Sequence, residues 1–397
     1  MKVLHLATSL SGGAGIAALR LHRAMRSQGV DSRMLALRTD IKDESIAELP
    51  RWKGRLVAPI RESLSWKLDR KHIDSSRGLF SFARHGFDVA SHPWIAWADV
   101  IYLHWVVGGF LSLGSLERLL KSGKKIRWMM HDMWPLTGGC HHAFECAAFS
   151  ENCGHCPCLD EQCQHLASEQ LARKAEMFQD ADIAFIAPSA WLAKKATLSV
   201  AIQSHPIAQI PNVLDEAFVP AEDRERARSE FGLDGSRRWA LCFASNDPYK
   251  GWNLFRDAWN KAALPDNCGL VVCGDENLAR ELARPERIRA ISTIRDKNVL
   301  ARLYSAADFF ILPSLAENYP NVAVEALACG TPVLGTNVGG ISEIVEKWGG
   351  RVTEPNPDAL AEALACTTRE PLPAVSGYLI REAHSPREIV SRHLALP

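Results

Sequence analysis

Short apolar runs alternate along the chain with stretches in which apolar positions recur every three to four residues, the pattern of parallel α/β domains. The spacing predicts a first strand at Val3–Ala7, a glycine-rich turn, and a helix from about Ala14 to Gln28 closed by Gly29 as its C-terminal cap. Further strands are expected at Met34–Leu37, Val100–His104, Ile126–Met130 and Ile183–Ala187, with helices over Leu113–Lys121 and near Glu169–Phe178. Pro211 and Asn212 mark a break. After a charged helical stretch, Ala221–Phe231, a second series begins, with strands at Trp239–Phe243, Leu270–Cys273, Phe309–Leu312 and Pro332–Gly335. Its helices are expected near Asn253–Asn260, Val299–Ala306, Val322–Ala328 and Ile341–Lys347.

Two successive parallel sheets predict two Rossmann-like domains facing one another across a cleft. A chain of 397 residues agrees, since it exceeds what one hydrophobic core usually supports. The first domain is expected over residues 1–216, with a cysteine-rich insertion at 138–166, and completed by a C-terminal helix at 380–397. The second is expected over 217–379. Residues 41–98 and 140–165 resist the alternating pattern.

Charge and composition narrow the classes. Lysine plus arginine (46) equals aspartate plus glutamate (46), which weighs against a dedicated nucleic-acid binder. The neutrality is uneven, however. Residues 1–139 carry 21 basic and 12 acidic side chains, whereas residues 140–217 carry 4 and 10. No apolar run is long enough to span a membrane. Met1–His5 leads straight into a strand pattern without a signal-peptide core, so a cytoplasmic location is expected.

The glycine-rich turn Ser11-Gly12-Gly13-Ala14-Gly15 lets backbone amides at a helix N-terminus approach an anion or a sugar closely. Gly12 and Gly13 are therefore candidate ligand contacts. The run from Gly13 also satisfies the dinucleotide fingerprint formally, but it stands too far beyond the first strand for that tight turn. A merely structural turn is the alternative.

A second constellation follows the strand at Phe309–Pro313. Glu317-Asn318-Tyr319-Pro320-Asn321-Val322-Ala323-Val324-Glu325 places two carboxylates eight residues apart across a helix N-terminus. If both were helical they would stand ~12 Å apart, too far for the ~5 Å carboxylate pair of a retaining glycosidase. They suit opposite ends of one extended ligand with hydroxyls at its ends and an anion in the middle, which describes a nucleotide sugar. In the first half, His104 and His131-Asp132 end successive predicted strands, where ligand clefts of α/β folds lie.

Several further runs accompany this one: Tyr304-Ser305-Ala306-Ala307-Asp308, Leu312-Pro313-Ser314, Ala328-Cys329-Gly330-Thr331-Pro332-Val333 and Gly339-Gly340-Ile341-Ser342-Glu343-Ile344-Val345. Together with Glu317-x7-Glu325 they resemble the donor domain of retaining GT-B glycosyltransferases of the family 4 type. Ala187-Pro188-Ser189 and Pro211-Asn212-Val213-Leu214-Asp215 are similar to that family's segments near the domain junction. The resemblance implies that Glu325 binds the donor ribose, that Glu317 contacts the transferred sugar, and that Asn318, Tyr319, Asn321 and Val322 cradle the diphosphate. It matches Lys250, in Asp247-Pro248-Tyr249-Lys250-Gly251, to a phosphate-binding lysine and His131 to a residue near the donor sugar and acceptor. Many relatives place an arginine a few residues before this lysine; here the stretch is Ala244-Ser245-Asn246. No catalytic cofactor is implied, only the nucleotide-sugar co-substrate.

The stretch from His131 to His141 resembles a bacterial exopolysaccharide and colanic-acid-type subgroup, as does the cysteine series after it. Six of eleven cysteines fall between Cys140 and Cys163. Cys140, Cys146, Cys153 and Cys156 include one Cys-x2-Cys pair and suit structural zinc, with Cys158, Cys163, His155 and His165 as spare ligands. Free thiols, disulfides and an iron–sulfur cluster are the alternatives.

The basic run from Arg51 to Lys71 carries Trp52 and Trp66, with Ile60, Leu64 and Leu68 at helical spacing. It reads either as a packed amphipathic helix or as a peripheral contact with anionic membrane, the inner membrane in a bacterium. The expected function is retaining transfer of a hexosyl group to a saccharide or lipid-linked saccharide in bacterial surface polysaccharide synthesis, exopolysaccharide or lipopolysaccharide. A GT-B-shaped sugar-nucleotide epimerase and a metal-binding or redox protein built on the cysteines are the rivals.

Overall fold

The computed structural model of the chain describes residues 1–50, 52–57, 59, 60, 63, 73, 74 and 78–396. Leu64, Trp66 and Leu68 lie outside the described residues, and with them most of the proposed interfacial helix.

The backbone divides into two compact units, Met1–Val213 with Ile389–Pro397, and Leu214–Glu388. The divide therefore falls between Val213 and Leu214, and the returning C-terminal segment is shorter than 380–397. That segment forms two helices, Gly377–Ala383 in the second unit and Pro386–Leu394 running back into the first. Ile389 and Val390 enforce the return, because they are buried with Val3, Tyr102 and Val213.

The strands of the first unit are β1 (Lys2–Ser9), β2 (Asp31–Arg38), β3 (Ile46–Glu48), β4 (Val100–Leu103), β5 (Lys125–Met129), β6 (Ile183–Ala187) and β7 (Ile207–Gln209). They pair in the order β3-β2-β1-β4-β5-β6-β7, and every pair is parallel. The central strands read as largely apolar runs because both faces are covered; Val3 through Ala7 are all buried, His5 among them. Between β1 and β4 the direction of winding reverses, which opens a crevice at their carboxyl ends.

The second unit repeats that design. Its strands are β8 (Arg238–Ala244), β9 (Cys268–Gly274), β10 (Ile288–Ser292), β11 (Phe309–Leu312), β12 (Val333–Thr336) and β13 (Gly350–Thr353). The order is β10-β9-β8-β11-β12-β13, again all parallel, with the reversal between β8 and β11. The sheet separates two apolar layers. Leu241, Phe310 and Val333 face one with Tyr304 and Ile380, while Ala240, Ile311 and Leu334 face the other with Trp259 and Leu360.

The strands absent from the apolar pattern are β3, β7, β10 and β13, all at the two edges of the sheets. β10 and β13 expose much of their surface, so neither needs a continuous apolar run.

Candidate functional site

In the second unit the chain leaves β8, passes Ser245 and Asn246, and makes one 3-10 turn, Pro248–Lys250. Gly251 then begins the helix Trp252–Lys261. Gly251 is left-handed (φ 71°), and a Cβ there would lie 1.9 Å from the Pro313 carbonyl oxygen. Only glycine lets this loop press against the end of β11, an approach completed by Leu315 N–H donating to Tyr249 O at 2.7 Å.

That approach aims Lys250 at Glu317. Lys250 Nζ donates to Glu317 Oε1 at 2.5 Å, and the Ser314 hydroxyl donates to the same oxygen at 3.2 Å. Burial works against the lysine's charge, but the facing carboxylate outweighs it and raises the ammonium pKa above its usual value. Glu317 is not helical, since the helix begins only at Asn321; the rise-per-residue spacing of the two acids therefore does not apply. Its backbone is pinned instead by Gly339 (φ 57°), where a Cβ would lie 1.6 Å from Glu317 O. Gly340 N–H donates to the same oxygen at 3.2 Å.

The helix Asn321–Ala328 starts without a side-chain cap. Glu325 lies within it, buried, and accepts from the Tyr304 hydroxyl at 3.4 Å. Tyr319, at the entry to the helix, bonds His384 Nε2 through its hydroxyl at 2.5 Å. His384 Nδ1 faces the Ile380 carbonyl at 2.8 Å, so Nδ1 carries the proton and Nε2 accepts from Tyr319. Asn318, Asn321 and Val322 belong to the same loop and helix start. Asn246, at the expected arginine position, donates to Asp275 at 2.8 Å. The structure thus joins Lys250 to Glu317, from the loops after β8 and β11, while Glu325 stands within the following helix against Tyr304. Tyr304 and His384 are partners that spacing did not reveal.

In the first unit the helix Gly12–Ser27 begins with Gly12 at φ 73° and no side-chain cap. The space a Cβ would occupy at Gly12 or Gly13 is open. His131 follows β5, and His104 follows β4. Asp132 serves as a turn cap, accepting Trp134 N–H at 2.9 Å, and also binds His141 Nδ1 at 2.5 Å. His141 in turn bonds the Ser81 hydroxyl at 2.9 Å.

Five of the clustered cysteines, Cys140, Cys153, Cys156, Cys158 and Cys163, are buried, and Cys146 is half-buried. Cys158 bonds both Cys140 and Cys156, so it, rather than Cys146, sits at the centre of the group. That bond lowers the Cys156 thiol to about 7, while burial pushes Cys153 up to about 12. Cys153 Sγ accepts Gly138 N–H at 3.3 Å. Beside them Lys174 is fully buried, donating to the carbonyls of Trp134 (2.5 Å) and Thr137 (2.9 Å). Among the described residues, no three His, Cys, Asp or Glu side chains stand in an arrangement that could hold a metal ion.

Residues 237–369 match the family model described as Glycosyl transferases group 1, and Lys250, Glu317 and Glu325 all fall inside that match. D-inositol 3-phosphate glycosyltransferase of Mycobacterium sp. (strain KMS) is 26% identical over 350 residues, covering 84% of this chain and 72% of that protein. Anabaena HepE, solved with UDP, superposes with a TM-score of 0.61 at 16% identity, covering 100% of both chains. WaaG, a glycosyltransferase involved in lipopolysaccharide biosynthesis, gives 0.60 at 18% identity, covering 99% of this chain and 95% of that one. The fold is GT-B. At these identities the structural likeness speaks to the fold, and the GT-B architecture accounts for two α/β units of the same winding order. Among the described residues no helix is long and apolar enough to cross a membrane.

Proposed function

We propose that this protein is a retaining glycosyltransferase that moves a hexosyl group from a nucleotide sugar to a saccharide or lipid-linked saccharide of the bacterial cell surface. The observation that carries the reading is the Lys250–Glu317 pair at the crevice end of the second sheet, inside the group 1 glycosyltransferase match. A departing nucleoside diphosphate develops negative charge, and a fixed ammonium beside uncapped helix amides stabilises it. In this reading Lys250 passes from Glu317 to the diphosphate when the donor binds. Glu317 then accepts hydrogen bonds from the sugar, Glu325 holds the ribose hydroxyls, and Asn318, Tyr319, Asn321 and Val322 supply the amides. The anomeric carbon–phosphate oxygen bond breaks as the acceptor oxygen bonds the same face of that carbon. The acceptor's proton passes to the leaving diphosphate. Gly12, Gly13 and His131 belong to the acceptor side.

HepE has been solved with UDP and with UDP-glucose, which makes uridine nucleotide sugars the first donors to try. A panel of nucleotide sugars, scored by thermal stabilisation and by acceptor-dependent release of nucleoside diphosphate, tests the proposal. Conversion of the sugar without diphosphate release would instead identify an epimerase.

We also read the clustered thiols Cys140, Cys146, Cys153 and Cys156 as a structural zinc site. As placed they do not form a ligand set, so closing around a metal requires local rearrangement. The support is chemical: five thiols share one core beside the buried amine of Lys174, which burial lowers to about 7 and neighbouring thiolates would favour in its charged form. No step of the transfer runs through that site. The basic segment Arg51–Lys71 supports peripheral attraction to anionic lipid, where a lipid-linked acceptor presents its sugar.

A further inference from the structure

Three histidines of the first unit form one hydrogen-bonded column that runs from the middle of β1, through the residue after β4, to His131 beyond the end of β5. His5 Nδ1 meets His104 Nε2 at 3.0 Å, and His104 Nδ1 meets His131 Nε2 at 2.9 Å. The rings lie edge to edge and close to parallel, at centroid distances of 5.2 Å for both pairs and interplanar angles of 24° and 17°. The arrangement follows from topology, because β1 and β4 are parallel neighbours, as are β4 and β5. His5 and His104 are buried, whereas His131 keeps part of its surface accessible. Burial holds all three rings neutral near pH 7; it lowers His131 to about 4 and holds the other two well below the usual histidine value.

Three neutral imidazoles carry three ring protons, and each of the two N···N contacts uses one. The third proton must sit at one end of the column, on His5 Nε2 or on His131 Nδ1. The tautomers are therefore coupled, since moving that proton between the ends reverses both internal bonds. The two ends differ. His5 Nε2 is buried without a hydrogen-bond partner among the described residues, beneath the Tyr102 ring and the edge of His22. An orphaned N–H there is costlier than a bare lone pair, because unpaired buried donors are the rarer defect. At the other end, the Asp132 carboxylate favours positive charge on His131.

We propose that the His5–His104–His131 column fixes His131 with its proton on Nδ1, so that His131 offers a hydrogen-bond donor to a sugar or phosphate oxygen and does not act as the base. His5 and His104 are then positioning residues that act through His131. The functional half of this statement rests on His131 lying at the reacting sugar, as proposed for the acceptor side. It also agrees with a reaction in which the leaving diphosphate takes the acceptor's proton.

The test is long-range 1H–15N correlation on full-length protein labelled with 15N-histidine at pH 7, with His131 assigned from a His131→Ala sample. The expected result is a protonated, pyrrole-type Nδ1 and a pyridine-type Nε2 on His131. His5→Leu removes the donor to His104 and should shift His131 to a mixture of tautomers, although His5 does not touch it. His5→Asn puts an amide where Nδ1 stood and should restore the wild-type pattern. A pyridine-type Nδ1 on wild-type His131, or a His131 signal unchanged in His5→Leu, overturns the proposal. If His5→Leu fails to fold, the wild-type tautomer decides alone. Turnover is read separately: a near-normal rate in His131→Ala removes His131 from the reacting sugar and leaves its protonation state standing.

Discussion

Replacing Lys250 with alanine tests the donor site most directly. The lysine contributes in two ways, and their magnitudes differ. Its pairing with Glu317 at 2.5 Å involves an ammonium whose side chain is 36% exposed and a carboxylate that is 10% exposed. Solvent screening at that exposure reduces the pair's contribution to stability to about 1 kcal/mol. For a unit of this size the melting temperature should fall by roughly 2–4 °C. The catalytic contribution is larger, because removing one fixed group that faces developing charge typically costs ~10²–10³ in kcat, or about 3–4 kcal/mol. Lys250→Ala should therefore remain folded while losing at least a hundredfold in diphosphate release under saturating donor and acceptor. Lys250→Met, which keeps most of the side-chain volume, should behave the same way and separates charge from packing. A kcat within threefold of wild type, with folding intact, would refute the assignment of Lys250 to the diphosphate.

Glu325→Gln should raise the donor KM by roughly tenfold or more, the loss of about 1.5–3 kcal/mol from hydrogen bonds to a charged acceptor, with a smaller effect on kcat; steady-state kinetics would show it. Gly339→Ala forces a Cβ into the Glu317 carbonyl and should cost more than about 2 kcal/mol by chemical denaturation while disturbing Glu317. Metal analysis of purified protein should find about one zinc per chain, with chelation lowering the melting temperature; a metal-free, fully folded preparation sinks the zinc reading. His22 and His131 are both lowered to about 4 by burial, so the unfolded chain binds more protons than the native one between pH 6.5 and 4. Stability should then be complete above pH 6.5 and fall with acidification by about 1.4 kcal/mol per pH unit for each such histidine. A melting temperature constant from pH 7 to 5 would contradict this.

Much of the architecture is legible in the one-dimensional pattern, and the reason is burial. Strands covered on both faces are apolar over most of their length, which is why Ile183–Ala187 and Phe309–Leu312 have the same bounds in pattern and structure. The same logic fails at sheet edges such as Gly350–Thr353, where intermediate exposure relaxes the requirement. The approximate site was legible because ligand clefts lie at the carboxyl ends of parallel strands, which singled out His104 and His131. Glu317 stood out by its spacing from Glu325 and Lys250 by motif resemblance, but the contact between Lys250 and Glu317 was not legible. They are 67 residues apart, and Gly251 and Gly339 make the contact possible by admitting other backbone where a side chain would stand.

By itself, then, the sequence determined two α/β units, most of their central strands, and the segments that bear chemistry, from local periodicity, from residue type at strand ends and from motif resemblance. Tertiary structure decided which of those residues pair. Pairing depends on sheet order and loop approach, which no local pattern encodes. It joined Lys250 to Glu317, turned Asp132 into a turn cap bound to His141, and made Cys158 the centre of the thiol group. It also brought His5, an unremarked residue in the middle of the first strand, into one hydrogen-bonded line with His104 and His131.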